Sequence, residues 1–255
     1  MDINVLIQGG VNVNSALALL GDMEMYNETL QDFVSGFEEK MGNIKKYKEE
    51  QDMTNYAILV HSLKSDSKYM GFTNLAEIAY QHEMASKAGD VRFVITSFDA
   101  LMTEANKTYE LVKKYLGGSK SDGVTLVENN SELKILVVDD SDLVRNFVLK
   151  VVPQEYSVIS ARDGEEAIKT ITNELSNLKG ILLDLNMPKV NGFEVLDFLK
   201  NNNIFAKVPV TIITGDDSKD TVMRAFDYPI MDVLNKPFTE GSVRNVVNKM
   251  ISINK

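Results

Sequence analysis

The 255-residue sequence contains no cysteine. That excludes a disulfide framework, a thiolate metal centre and a cysteine nucleophile, and it fits a reducing compartment. No run of about eighteen apolar residues occurs, so nothing is expected to insert into a membrane. The N-terminus lacks the basic start and apolar core of a secretion signal, which makes a cytoplasmic location the expectation. Excess positive charge is absent too. The formal net charge is −10, which argues against nucleic acid as a partner, since phosphate backbones demand clustered Lys and Arg. Neither a Gly-rich phosphate loop nor an Asp-x-Gly-x-Gly segment is present, so no kinase-type ATP site is expected. Histidine is scarce, at two residues.

What is present divides into two patterns. From Val13 to about Leu116 the periodicity is helical. Leu17, Leu20, Leu30, Phe33, Val34 and Phe37 recur at three- and four-residue steps, with Asp22 a candidate cap. Further helices are predicted over 43–50, 53–70, 74–88 and 91–115, with Gly71 and Gly89-Asp90 as breaks. Such lengths and short connections predict an antiparallel helical bundle. Within the helix over 53–70, Tyr56, Leu59, Val60, Leu63, Ser67 and Met70 form one seam, predicted to face the core. His61 lies off it, on a second seam with Ala57, Lys64 and Lys68, which predicts an imidazole at the surface with ammonium groups one turn away. A ring nitrogen in that setting can be a nucleophile toward an anionic group, and the ammoniums can meet phosphoryl charge. His82, beside Glu83 on a later helix, reads as an ordinary structural or exposed histidine.

Gly117 to about Glu132 reads as a linker, opened by Gly-Gly-Ser-Lys-Ser-Asp-Gly and closed by Glu-Asn-Asn-Ser-Glu. From Leu133 onward the pattern changes. Apolar strands near 135–138, 157–161, 180–184, 209–214 and 232–235 alternate with helices near 142–151, 164–175, 192–201, 218–226 and 240–252, predicting a parallel, doubly wound sheet. Polar residues stand just past the strands: Asp139-Asp140, Asp184, Thr214 and Lys236. In such sheets ligands bind outside the carboxyl ends of the strands, so these residues are expected to converge. Three carboxylates at one spot repel each other unless something cationic sits among them, and hard oxygen ligands suit Mg²⁺. Lys236 and Thr214 supply a charge and a hydroxyl suited to phosphate oxygens.

Two resemblances follow. His61-Ser62-Leu63-Lys64-Ser65-Asp66-Ser67, then Met70-Gly71 and Leu75-Ala76, resembles the histidine phosphotransfer (Hpt) pattern His-x-Leu-Lys-Gly with a later Leu-Gly, over roughly residues 12–116. The resemblance implies that His61 is a phosphoacceptor and Lys64 its phosphate-facing partner; Ser65 departs from the usual Gly. Residues 133–255 resemble the response-regulator receiver domain, which implies strand order 2-1-3-4-5, Asp184 as phosphoacceptor, Asp139 and Asp140 as the acidic pair for Mg²⁺, and the backbone carbonyl of Asn186 as a further metal ligand. It also implies phosphoryl contacts from Thr214 and Lys236, and a cis peptide at Lys236-Pro237. One departure is Val233, three residues before the Lys, where receivers commonly carry Tyr or Phe.

The expected architecture is therefore multidomain: an all-α, four-helix-type bundle over 1–116, a linker over 117–132 and a flavodoxin-like α/β receiver with a five-stranded parallel sheet over 133–255. The expected function is phosphorelay signalling between His and Asp residues, with a sensor histidine kinase or other receiver domains as partners. Two alternatives stand beside it. One is a Mg²⁺-dependent aspartate-nucleophile phosphatase or phosphotransferase acting on small molecules; the other is a non-catalytic kinase-docking module.

Overall fold

Asn12, Asp22, Asp52 and Asp90 each stand just before a helical stretch, where a side-chain oxygen can accept from an otherwise unpaired first-turn N–H. Their donors are the N–H groups of Ser15, Met25, Asn55 and Phe93. In the computed structural model, which describes residues 1–117, 133–153, 156–215 and 219–253, these caps open α2 (Val13–Leu20), α3 (Met23–Glu49), α4 (Met53–Tyr69) and α6 (Val91–Leu116). The short α1 (Asn4–Gln8) and α5 (Thr73–Lys87) complete the helical N-terminal region. The chain divides into two compact units, Met1–Val124 and Thr125–Lys255. Apart from Gly117, the linker predicted over 117–132 lies outside the described residues.

In the first unit α3 packs on α4, α4 on α5, α5 on α6 and α6 back on α3, closing a ring of four helices. Its centre is apolar, with Tyr26, Leu30, Ile44, Tyr56, Leu63, Leu75 and Leu101 fully buried. The helix predicted over 43–50 is instead the end of the 27-residue α3. Gly36 and Gly42 lie inside it, in open space where a Cβ would meet nothing; a mid-helix glycine costs only about 1 kcal/mol relative to alanine, too little to break a helix with a long buried face. Gly71 does break the chain. It has φ +76°, and a Cβ there would lie 2.3 Å from the Asn12 carbonyl oxygen.

The second unit is a five-stranded parallel sheet of β1 (Lys134–Val138), β2 (Ser157–Ala161), β3 (Leu178–Asp184), β4 (Val210–Thr214) and β5 (Asp232–Asn235), in the order β2-β1-β3-β4-β5. Helices α7 (Asp142–Val151), α8 (Gly164–Glu174), α9 (Gly192–Asn201), α10 (Lys219–Ala225) and α11 (Glu240–Ile253) alternate with the strands. β1, β3 and β4 are apolar along most of their length because helices cover both faces of the sheet. Register then aligns the strand ends. Val138 pairs with Leu183, Asp184 with Ile213 and Thr214 with Asn235, so Asp139, Asp184, Thr214 and Lys236 fall in one row at the carboxyl edge.

Gly192 makes that row possible. It opens α9 after an Asn191–Glu194 capping box, and a Cβ on it would lie 2.2 Å from the Asp184 carbonyl oxygen and 2.6 Å from Leu185 Cα. Gly192→Ala is therefore expected to destabilise the second unit by about 2 kcal/mol or more in urea unfolding. Gly241→Ala, whose nearest contact is 3.8 Å away, is expected to stay within about 0.5 kcal/mol of the parent protein.

Candidate functional site

At the carboxyl edge of the sheet, one carboxylate oxygen from each of Asp139, Asp140 and Asp184 lies within 4.8 Å of the others. Asp139 and Asp184 are buried, and Asp140 is half-buried. Lys236, its side chain 3% exposed, reaches into this cluster: Nζ is 2.6 Å from Asp184 Oδ2 and 2.7 Å from Asp139 Oδ2. The first contact is a hydrogen bond; the second is an ion pair outside hydrogen-bonding geometry. Burial pushes the Asp139 carboxyl up from its ordinary range, the charges of Asp184 and Asp140 add to that, and Lys236 pulls the other way. Burial likewise opposes the Lys236 charge, but the three acids outweigh it and hold the ammonium well above its usual range.

Backbone groups fix the acids. Ser141 N–H donates to Asp139 Oδ1 at 3.0 Å, and Asn186 N–H donates to Asp184 Oδ1 at 3.1 Å. Thr214 is buried at the end of β4, and its carbonyl accepts from Lys236 N–H at 2.7 Å. The Lys236–Pro237 peptide is cis. Val233 is half-buried, paired with Ile212 in the sheet and packed on the core, an aliphatic side chain with no ring to rotate. Three acids beside the Lys236 ammonium present a set of hard oxygens. Those residues fit a divalent cation.

His61 and Lys64 lie on α4 in the first unit, and here the expected surface position is corrected. Both are buried, as is every residue from His61 to Ser67. The helix is flanked by α2, α3 and α5, so it has no solvent stripe for a second seam to occupy. Polar partners come from the neighbouring helices. Lys40 of α3 binds Ser62 Oγ and Asp66. Glu83 of α5, also buried, accepts from His61 Nδ1 at 2.7 Å, Lys64 Nζ at 2.7 Å and Lys87 Nζ at 2.7 Å.

Burial works against the Glu83 charge, but the His61, Lys64 and Lys87 donors outweigh it and hold the carboxyl far below its usual range. An ionised carboxylate only accepts, so the proton of the imidazole sits on Nδ1. The Lys64 ammonium, 3.3 Å from Nδ1, is therefore a neighbouring charge and not a donor to that nitrogen. Burial lowers the Lys64 pKa, against the pull of Glu83. His61 Nε2 is buried and has no hydrogen-bond partner among the described residues. Glu83 was given no role in the site from sequence, and its pairing with Lys87 four residues on resembles an ordinary surface pair.

The sheet order and the acid-and-lysine edge define the architecture of a receiver domain. The family comparison agrees: residues 135–248 match the response regulator receiver domain, and this part of the chain is one. The chain is similar to the CAI-1 autoinducer sensor kinase/phosphatase CqsS of Vibrio cholerae, 31% identical over 126 residues, covering 49% of this chain and 18% of that protein. It is also similar to chemotaxis protein CheY1 of Helicobacter pylori, 27% identical over 124 residues, covering 48% of this chain and 99% of that one. Among solved structures, a Francisella response regulator 1452 receiver domain is 28% identical, covering 48% of this chain and 99% of its own, with a TM-score of 0.44. No described helix is long and apolar enough to cross a membrane.

His82 is the second histidine, and it is structural. Ser97 Oγ donates to the Phe93 carbonyl, so it accepts from His82 Nε2–H at 3.1 Å, and Tyr56 O–H donates to Nδ1 at 2.7 Å. Both nitrogens of a neutral ring are thus satisfied, and burial holds its pKa below the usual value. The unfolded chain takes up a proton as pH falls through about 6.5, whereas the folded form resists it, so stability is full above that pH and declines below it. Glu83, held low, contributes its own loss only below about pH 4.5. Urea unfolding followed on NMR resonances of the first unit is expected to give a midpoint that drops between about pH 7 and 5, and His82→Gln is expected to flatten that drop.

Proposed function

We propose that this chain is a phosphorelay protein in which residues 1–116 form a histidine phosphotransfer module, 117–132 a linker and 133–255 a receiver unit. The observation that carries the reading is the row at the sheet edge: Asp184 flanked by two further acids and bonded to a buried Lys236. A phosphoryl-transfer site needs mainly alignment and charge neutralisation, because its transition state spreads negative charge over three oxygens. Asp139, Asp140, Asp184 and the Asn186 carbonyl would hold Mg²⁺, which supplies neutralisation of phosphoryl charge when bound.

The remaining steps belong to the chain. An Asp184 carboxylate oxygen attacks phosphorus in line, and the bond from phosphorus to the donor nitrogen breaks. The Lys236 ammonium, now on Asp184 Oδ2, transfers its contact to a phosphoryl oxygen, with the Thr214 hydroxyl beside it. At His61, the Nδ1–H bond to Glu83 leaves Nε2 as the nucleophilic nitrogen, with its lone pair uncommitted. Glu83 thus orients the ring. When Nε2 is the leaving atom, the imidazole departs neutral, because Nδ1 already carries its proton.

Partners on this reading are a sensor histidine kinase or another receiver, as the source of phosphate. The test uses acetyl phosphate with Mg²⁺, counting phosphoryl groups by intact mass. Label is expected on the parent protein and on His61→Gln but not on Asp184→Asn. Acid-labile, base-stable label on the parent that is lost in either variant would mean that Asp184 supplies His61. Absence of Mg²⁺-dependent label in every form would sink the relay reading, and steady turnover of small phosphate esters would favour a phosphatase. With a phosphorylated receiver as donor, Glu83→Ala is expected to slow labelling of His61 by about tenfold to a hundredfold, a loss that Glu83→Gln partly restores because an amide oxygen can still accept from Nδ1.

A further inference from the structure

The loop between β3 and α9 carries Asn186, and one of its residues is held in a costly conformation. Lys189 has φ +64°, in the left-handed region that disfavours any side chain but glycine. Such residues persist only where their surroundings over-determine them, and they gather at functional sites. Two contacts do so here. Lys189 Nζ donates to Asp163 Oδ2 at 2.5 Å, and the carbonyl of the next residue, Val190, accepts from Gly164 N–H at 3.0 Å. The second contact requires a bare α-carbon, since a Cβ on Gly164 would lie 2.4 Å from that carbonyl oxygen.

Asp163 is buried and also caps α8 by accepting from Glu166 N–H. Burial opposes its charge, but Lys189 and the capping N–H outweigh burial and hold the carboxyl below its usual range. The two ends of the same loop are tied at the site itself: Asn186 N–H donates to Asp184 Oδ1, and Gly192 N–H to the Leu185 carbonyl. Between these ties and α8 the segment has little room to shift.

We propose that Asp163 and Lys189 are positioning residues for the metal site: their ion pair seats the β3–α9 loop so that Asn186 and Asp184 present their oxygens together. The proposal rests on the reading of the acidic cluster as a Mg²⁺ site. Neither residue belongs to that cluster. They act through the loop, as outer partners of metal ligands commonly do.

Three variants of the full chain separate the pair from its other duties. Asp163→Asn keeps the cap, because asparagine caps a helix as well as aspartate does, but removes the charge. Lys189→Met keeps the stem and removes the ammonium. The double variant tests whether the two act as one. Mg²⁺ is titrated calorimetrically into each, with thermal unfolding of the metal-free proteins measured alongside and Asp184→Asn as the non-binding control. The Mg²⁺ Kd is expected to rise about tenfold in each single variant and no further in the double, as coupled residues require. Single variants that bind Mg²⁺ like the parent protein would overturn the proposal while leaving the acidic-cluster reading intact. A double variant weakened by the product of the single effects would also overturn it, since the residues would then act separately. A parent protein that binds no Mg²⁺ would remove the proposal and the reading beneath it together.

Discussion

A lysine ammonium buried between two buried carboxylates is the interaction on which the candidate site depends. Removing charges from water costs several kcal/mol per ion, and mutual attraction offsets this only when geometry is right. Lys236 meets that condition, with Nζ 2.6 Å and 2.7 Å from its two partners. The trio is therefore a weak source of stability and a strong organiser. What stabilises the unit is the apolar body of β1, β3 and β4, and the parallel register brings their polar ends level. Without Lys236, Asp139 and Asp184 would lose the ammonium that now holds them both.

The same constraint appears in the helical unit on a different scaffold. Glu83 is an acid buried among helices, and it remains charged because three donors converge on it. Each unit thus places a carboxylate where it is expensive and surrounds it with lysine. In one unit that acid is the proposed nucleophile. In the other it stands behind the proposed nucleophile and sets which imidazole nitrogen carries the proton.

The sheet was legible because a continuous apolar run ending in a charge is a specific pattern, and five of them in a row admit few architectures. The convergence of Asp139, Asp184 and Lys236 followed from parallel order alone, with no side-chain information needed. The position of His61 was not legible in this way. Helical periodicity separates a core face from a wet one, whereas α4 has neighbours around it, and its polar residues read as solvent-facing only because their partners are remote. Lys64 finds Glu83 nineteen residues away and Asp66 finds Lys40 twenty-six away. Pairings at that distance leave no periodic trace in either helix. The length of α3 was missed for a smaller reason, since Gly42 has the composition of a break but sits in open space where it costs little.

The counter-charges around them give the two proposed acceptors different standing. On the proposed reading a phosphoryl group brings one net negative charge to either acceptor; at His61, with the proton kept on Nδ1, it would arrive in a buried setting whose lysines already serve Glu83. Lys64 and Lys87 can turn toward the phosphoryl oxygens only by loosening their hold on that acid. At Asp184 the same charge would arrive beside the Lys236 ammonium and among the acids that would hold a metal ion. Lys236 then keeps a partner, because phosphoryl oxygens take the place of the carboxylate oxygen it now holds. On the proposed reading it is the counter-charges at hand, and not the charge gained, that favour Asp184 as acceptor, and a metal ion at the three acids deepens the same bias. Reverse flow must draw on the intrinsic reactivity of the acyl phosphate against this gradient.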